Sequence, residues 1–101
     1  MTEGRRMPVR TAEIQFDGIY AGFTATVRTN PRYRTKVDLS SGDQERFLAA
    51  LKAIVVKWDF TDEDGAPIPA GAPEDVPDDL LAELVHRWGE AVGEAAQLPK
   101  S

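Results

Sequence analysis

Residues 61–79 restrict what this chain can become more than any other stretch. They hold four of its seven prolines, seven acidic residues and no basic one. Proline has no backbone N–H to give to a helix or a central strand, so no regular element runs through this segment. Asp64-Gly65 turns the chain, and Pro67-Ile68-Pro69 is stiff and extended. The segment therefore reads as a long acidic, proline-rich loop, a class that in small domains is usually functional or disordered. It separates a mixed upstream region from one closing helix in a chain of 101 residues, the size of a single domain.

The closing helix has the clearest pattern. Leu80, Leu81, Leu84, Val85, Trp88 and Val92 form one stripe at helical spacing. Pro77 suits its first turn, and Asp78 and Asp79 meet the positive end of its dipole. Gly89 and Gly93 weaken its second half, and Pro99 stops it.

Upstream, Glu13–Phe16 and Phe23–Thr29 alternate polar and apolar residues, with Phe23, Ala25 and Val27 on one face. Asp17-Gly18 and Ala21-Gly22 lie between them, so the two runs predict a β-hairpin. Tyr33, Thr35, Val37 and Leu39 alternate with Arg34, Lys36 and Asp38, which predicts a third strand after the Asn30-Pro31 break. Ser41 and Gln44 fit a capping box. Phe47, Leu48, Leu51, Ile54 and Val55 then predict a helix from about 43 to 54, its last turn reaching about Val56, followed by extended Trp58–Phe60. The expected fold is α+β: a small antiparallel hairpin or three-stranded sheet packed on two main helices. Residues 11–98 form the single domain, with an N-terminal arm at 1–10 and a tail at 99–101.

Composition excludes several chemistries. There is no cysteine, hence no disulfide or thiolate site, and His86 is the one histidine. No apolar run approaches the roughly 20 residues of a membrane span, and Met1–Arg6 is followed by no apolar region of a signal peptide. Asp62, Glu63, Asp64 and Gly65 suggest a calcium loop. With Gly65 in the sixth position, however, Phe60 and Gly71 fall at the first and twelfth, where oxygen ligands are required. No metal, cofactor or catalytic residue is expected.

The formal net charge of −5 is unevenly spread. Residues 1–57 carry 10 basic and 6 acidic side chains (+4), and residues 58–101 carry 2 and 11 (−9). Arg28, Arg32, Arg34 and Lys36, with Tyr33 among them, form the one basic and aromatic patch. In so acidic a chain this patch fits a protein partner better than nucleic acid. Apolar surface left over on Phe47, Leu51, Phe60, Leu81, Val85 and Trp88 would add to the same docking role.

Residues 54–69, from Ile54-Val55-Val56-Lys57-Trp58 through Asp62-Glu63-Asp64-Gly65 to Pro67-Ile68-Pro69, resemble a stretch of the tail assembly chaperones of long-tailed (siphovirus-type) bacteriophages. Phe16-Asp17-Gly18, Ala21-Gly22-Phe23 and Val27-Arg28 resemble that family's opening hairpin, and the likeness extends over about 13–95. Residues 30–42 depart from it, being short and basic where relatives often carry a longer acidic stretch. The resemblance implies a non-enzymatic protein of the infected host's cytoplasm, absent from the mature virion. It further implies binding to the tape measure protein, recruitment of tail tube subunits, and self-association, with neither nucleic acid nor membrane as partner. The alternative is a virion structural or adaptor protein of the tail-terminator or head–tail-connector type.

Overall fold

A computed structural model describes residues 8–96. Strands β1 (Thr11–Gln15), β2 (Thr24–Arg28) and β3 (Val55–Trp58) form an antiparallel sheet in the order β1-β2-β3. Helices α1 (Tyr33–Leu39) and α2 (Gln44–Ile54) connect β2 to β3, and α3 (Asp78–Ala96) follows. Among the described residues the architecture is α+β, with a three-stranded sheet and three α-helices.

The hairpin forms where the alternation places it. Thr11 faces Arg28 and Gln15 faces Thr24, and Phe16 N–H donates to the Phe23 carbonyl to close the connection. Gly18 and Gly22 occupy the left-handed region there, at φ +67° and +97°, which residues with a Cβ enter only at a cost. Ile14, Ala25, Val27 and Val55 turn inward and are buried. The opposite face carries Glu13, Thr24, Thr26 and Lys57, so it is polar, as expected of an antiparallel sheet with one wet side.

Residues 33–39 correct the sequence expectation. They are helical rather than a third strand. β2 is already flanked by β1 and β3, so another strand would have to extend an outer edge. The segment instead packs on α2, a short helix held by tertiary contact rather than by its own stability. Gly42, at φ +81°, reverses the chain between the two helices.

The cap of α2 also differs from the expected Ser41–Gln44 box. Asp43 is the cap, its Oδ1 accepting from the N–H groups of Glu45 and Arg46, while Ser41 Oγ accepts from Asp43 N–H. α2 stops at Ile54 and the chain becomes extended at once, two residues before the expected end. A run of β-branched Ile54-Val55-Val56 favours that switch. A register irregularity opposite Thr26/Val27 accommodates the abrupt entry.

Residues 59–77 are pinned rather than free. Asp59 ties to Thr24 through three hydrogen bonds: its carboxylate accepts from Thr24 N–H and Oγ1–H, and its own N–H donates to the Thr24 carbonyl. Ile68 N–H donates to the Phe60 carbonyl at 2.9 Å, and Thr61 bridges to Pro67. Ile68, Pro73 and Val76 are buried. Phe60 sits at the centre of an aromatic group, edge-on to Phe16 and Phe23 at 5.5 and 5.6 Å and stacked on Trp58 at 4.6 Å.

α3 closes the core with Leu80, Leu81, Leu84 and Trp88, all buried. The Pro77 carbonyl accepts from Leu80 and Leu81 N–H, so Pro77 caps the helix rather than lying inside it. Trp88 Nε1 donates to the Arg28 carbonyl at 2.8 Å, and Trp58 Nε1 to the Ile68 carbonyl at 2.6 Å. The stop at Pro99, the tail and most of the expected arm lie outside the described residues. Within that arm, residues 8–10 are tied down: Thr29 N–H donates to the Arg10 carbonyl, and Asn30 bonds Arg10 N–H and the Pro8 carbonyl.

Two substitutions test this packing. Trp88→Phe keeps an aromatic side chain but removes part of the buried ring system and the donor to the Arg28 carbonyl, at an expected cost of about 1–3 kcal/mol or more in urea unfolding. A Cβ placed at Gly89 meets nothing within 4 Å, so Gly89→Ala is expected to stabilise by about 1 kcal/mol and to raise Tm by roughly 4–8 °C in a calorimetric scan.

Candidate functional site

The basic patch gathers at the end of the sheet where β2 leaves it. Asn30 organises this end. Its Nδ2 donates to the Pro8 carbonyl, and its Oδ1 accepts from Arg10 N–H at 2.8 Å and from Arg28 Nε at 3.4 Å. The half-buried Arg28 side chain is thereby oriented by a residue fixed to the backbone on the other side. Pro8, Arg28, Asn30, Pro31 and Arg32 line an open groove of about 570 Å³.

From this groove α1 runs outward. Arg32 is its cap in extended conformation, and Tyr33, Arg34 and Lys36 are exposed. Tyr33 is 79% exposed and Val37, one turn later, 46%. The helical conformation creates this apolar pair: residues four apart share a helix face, and here that face is flanked by cations. An extended 33–39 would have put Tyr33, Val37 and Leu39 together; in the helix Leu39 packs on the core instead.

The other expected docking residues divide by burial. Leu51, Phe60, Leu81 and Trp88 are in the core and offer no surface. Phe47 and Val85 are half-buried and pack against that core. Exposed apolar side chains occur at Val9, Ile19 and Val56, which pattern reading passed over. Asn30 was also missed as an organiser; its sequence signal, Asn-Pro, reads only as a break.

A second groove lies at the opposite end of the sheet, around the hairpin turn. Tyr20, Asp62, Glu63, Glu74 and Asp75 surround a floor that includes Ile68 and Val76, enclosing about 400 Å³. Asp62 commits its Oδ1 to the N–H groups of Asp64 and Ala66, both at 2.9 Å, so it shapes the turn around Gly65. No three His, Asp or Glu side chains among the described residues are placed to hold a metal ion.

Two side chains have displaced ionisations. Tyr20 Oη donates to Asp79 at 2.6 Å, and that hydrogen bond, with burial and the carboxylate charge, raises the phenol above its ordinary 10. Arg87 is raised chiefly by its hydrogen bond to Glu83, with Asp17 adding to it. Its guanidinium also donates to the Gln15 carbonyl and lies 5.9 Å from the Phe16 ring centroid. Both contacts bind α3 to the hairpin. His86 is exposed on α3, 3.6 Å from Glu90.

Comparison with family models, curated proteins and solved structures finds no match to this chain.

The Tyr20–Asp79 bond has a pH signature. The folded phenol ionises above the unfolded one, so its contribution to stability is complete below pH 10 and is lost as pH rises through the folded value. Ultraviolet titration of phenolate should place Tyr20 above 10 in the intact chain and nearer 10 in Asp79→Asn.

Proposed function

We propose that this chain is a non-enzymatic assembly chaperone of long-tailed phage tails, which shields apolar helical stretches of a tape measure protein and helps recruit tail tube subunits. The reading starts from the likeness of residues 54–69 to that family. The observation that carries it further is the exposed Tyr33–Val37 pair on a helix bordered by Arg32, Arg34 and Lys36. An amphipathic partner helix docks through apolar residues at such spacing, and charges at the rim set its register and encounter rate. The acidic excess elsewhere keeps a protein with exposed apolar surface in solution. Action in the infected cell's cytoplasm and absence from the finished virion belong to the same proposal. No helix among the described residues is long and apolar enough to cross a membrane.

Co-expression with tape measure fragments tests the reading. At least one fragment should co-purify, and the protein should be missing from purified virions. Tyr33→Ser with Val37→Ser should abolish recovery while leaving unfolding free energy within about 0.5 kcal/mol of the parent, because both positions face solvent. Recovery of no fragment, together with presence in virions, contradicts the proposal and favours a structural tail component.

A further inference from the structure

β1 forms one edge of the sheet, and most of its outer backbone groups are unpaired. Phe16 N–H donates to the Phe23 carbonyl and Thr29 N–H to the Arg10 carbonyl, so the even-numbered residues turn their backbone groups toward β2. Antiparallel pairing alternates residue by residue, which points the N–H and C=O groups of Thr11, Glu13 and Gln15 outward. Among the described residues only the Gln15 carbonyl has a partner there, Arg87 Nη1 at 3.1 Å. α3 runs beside this edge and makes it one wall of a shallow groove of about 190 Å³, lined by Ile14 and Ala91 and by the exposed Glu13 and Glu90. Arg87 also lines it, but its guanidinium is engaged by Glu83, Asp17 and the Gln15 carbonyl. Glu90 faces only His86, and Glu13 pairs with no cation among the described residues. Lys57, on the same face as Glu13, lies two strands away, a distance of about 10 Å.

We propose that the outer edge of β1 is a strand-addition site for an extended, basic segment of a partner protein. Such a segment lies about 4.8 Å outside β1 and exchanges main-chain hydrogen bonds with Thr11, Glu13 and Gln15. Its side chains alternate between two settings. Those opposite Glu13 join the polar outer face, where a cation pairs with that carboxylate. Their neighbours turn into the groove, where an aliphatic stem covers Ile14 and Ala91 and its charged head reaches Glu90. A second copy of this chain is the wrong occupant. Antiparallel pairing of two β1 strands centred on Glu13 sets that carboxylate against itself, and like charges directly opposite are the means by which edge strands refuse each other. The net charge of −5 draws a basic segment in. Strand addition at β1 uses a different surface from α1 and a different kind of partner from an amphipathic helix. It does not depend on the chaperone reading, and the two fail separately.

The probe is the acetylated and amidated peptide Val-Thr-Arg-Lys-Val-Thr-Val, titrated into the isotopically labelled full chain. In antiparallel register its lysine lies opposite Glu13 and its threonines opposite Thr11 and Gln15, with the arginine turned toward Glu90. The amide protons of Thr11, Glu13 and Gln15 should move downfield as it is added, while those from Arg28 to Val37 stay unchanged. N-methylation of the peptide's Thr and Lys amides, which face β1, should abolish the shifts. N-methylation of its Arg and Val amides, which face away, should preserve them. A peptide with glutamate in place of the arginine and lysine should bind at least about tenfold more weakly. Glu13→Lys/Glu90→Lys should reverse that preference, and the reversal would show the variant to be folded. Absence of shifts along β1 overturns the proposal. So does equal binding of the peptide methylated on its β1-facing amides, or a preference that does not reverse. Slow hydrogen exchange at Thr11, Glu13 and Gln15 in the free chain would show the edge already covered, by the chain's own residues or by a second copy, and overturns it equally.

Discussion

The hydrogen bond from Trp88 Nε1 to the Arg28 carbonyl joins the last helix to the end of the central strand, across 60 residues of sequence. It lies at the edge of the core, with Val27 and Leu84 fully buried within. A three-stranded sheet cannot bury both faces in a chain this short. α2 covers the inner face with Leu51 and Ile54 and α3 with its leucines, and Trp88 lets α3 reach the strand end without leaving a buried donor unpaired. At the hairpin end, Arg87 on the same helix donates to the Gln15 carbonyl and pairs with Asp17. Two neighbouring side chains of one helix thus fix both ends of the hairpin. The polar outer face, the outward α1 and the two terminal grooves take their positions from that frame.

Much of this frame is legible in the sequence, because it depends on periodicity. The 3.6-residue stripe of α3 and the two-residue alternation of Phe23, Ala25 and Val27 each correspond to buried sets. The hairpin turn is announced by glycines whose φ values need them. Residues 33–39 are ambiguous by pattern, because Tyr33, Thr35, Val37 and Leu39 satisfy strand alternation while Tyr33 and Val37 also satisfy helix spacing. Only the occupancy of both sides of β2 decides between them, and that is a tertiary fact. The start of β3 is a similar case, since Ile54-Val55-Val56 suits a helix end by pattern and a strand by branching.

The candidate site was less legible than the fold. The cations at 28, 32, 34 and 36 are visible in sequence, but the groove depends on Asn30 reaching back to Pro8 and Arg10, about 20 residues away. Of the apolar residues first expected at a docking surface, Leu51, Phe60, Leu81 and Trp88 are spent on the core, because a domain of this size has few large side chains to spare. The acidic residues likewise split. Asp43, Asp59, Asp62 and Asp79 cap, tie or shape the backbone and side chains around them. Glu63, Glu74 and Asp75 are left as free surface charge at one end. Asp59, Asp62 and Asp79 make the −9 of the second half partly structural, while Glu63, Glu74 and Asp75 line the groove at the hairpin end.

The proposed docking helix is α1, which is basic and exposes Tyr33 and Val37 on one face. Chemical-shift mapping of the isotopically labelled chain against tape measure fragments reads this residue by residue. The perturbed amides should cluster from Arg28 to Val37, with the polar outer face of the sheet unchanged. Perturbations confined to α3 or to the outer face of the sheet, with residues 28–37 silent, would contradict it.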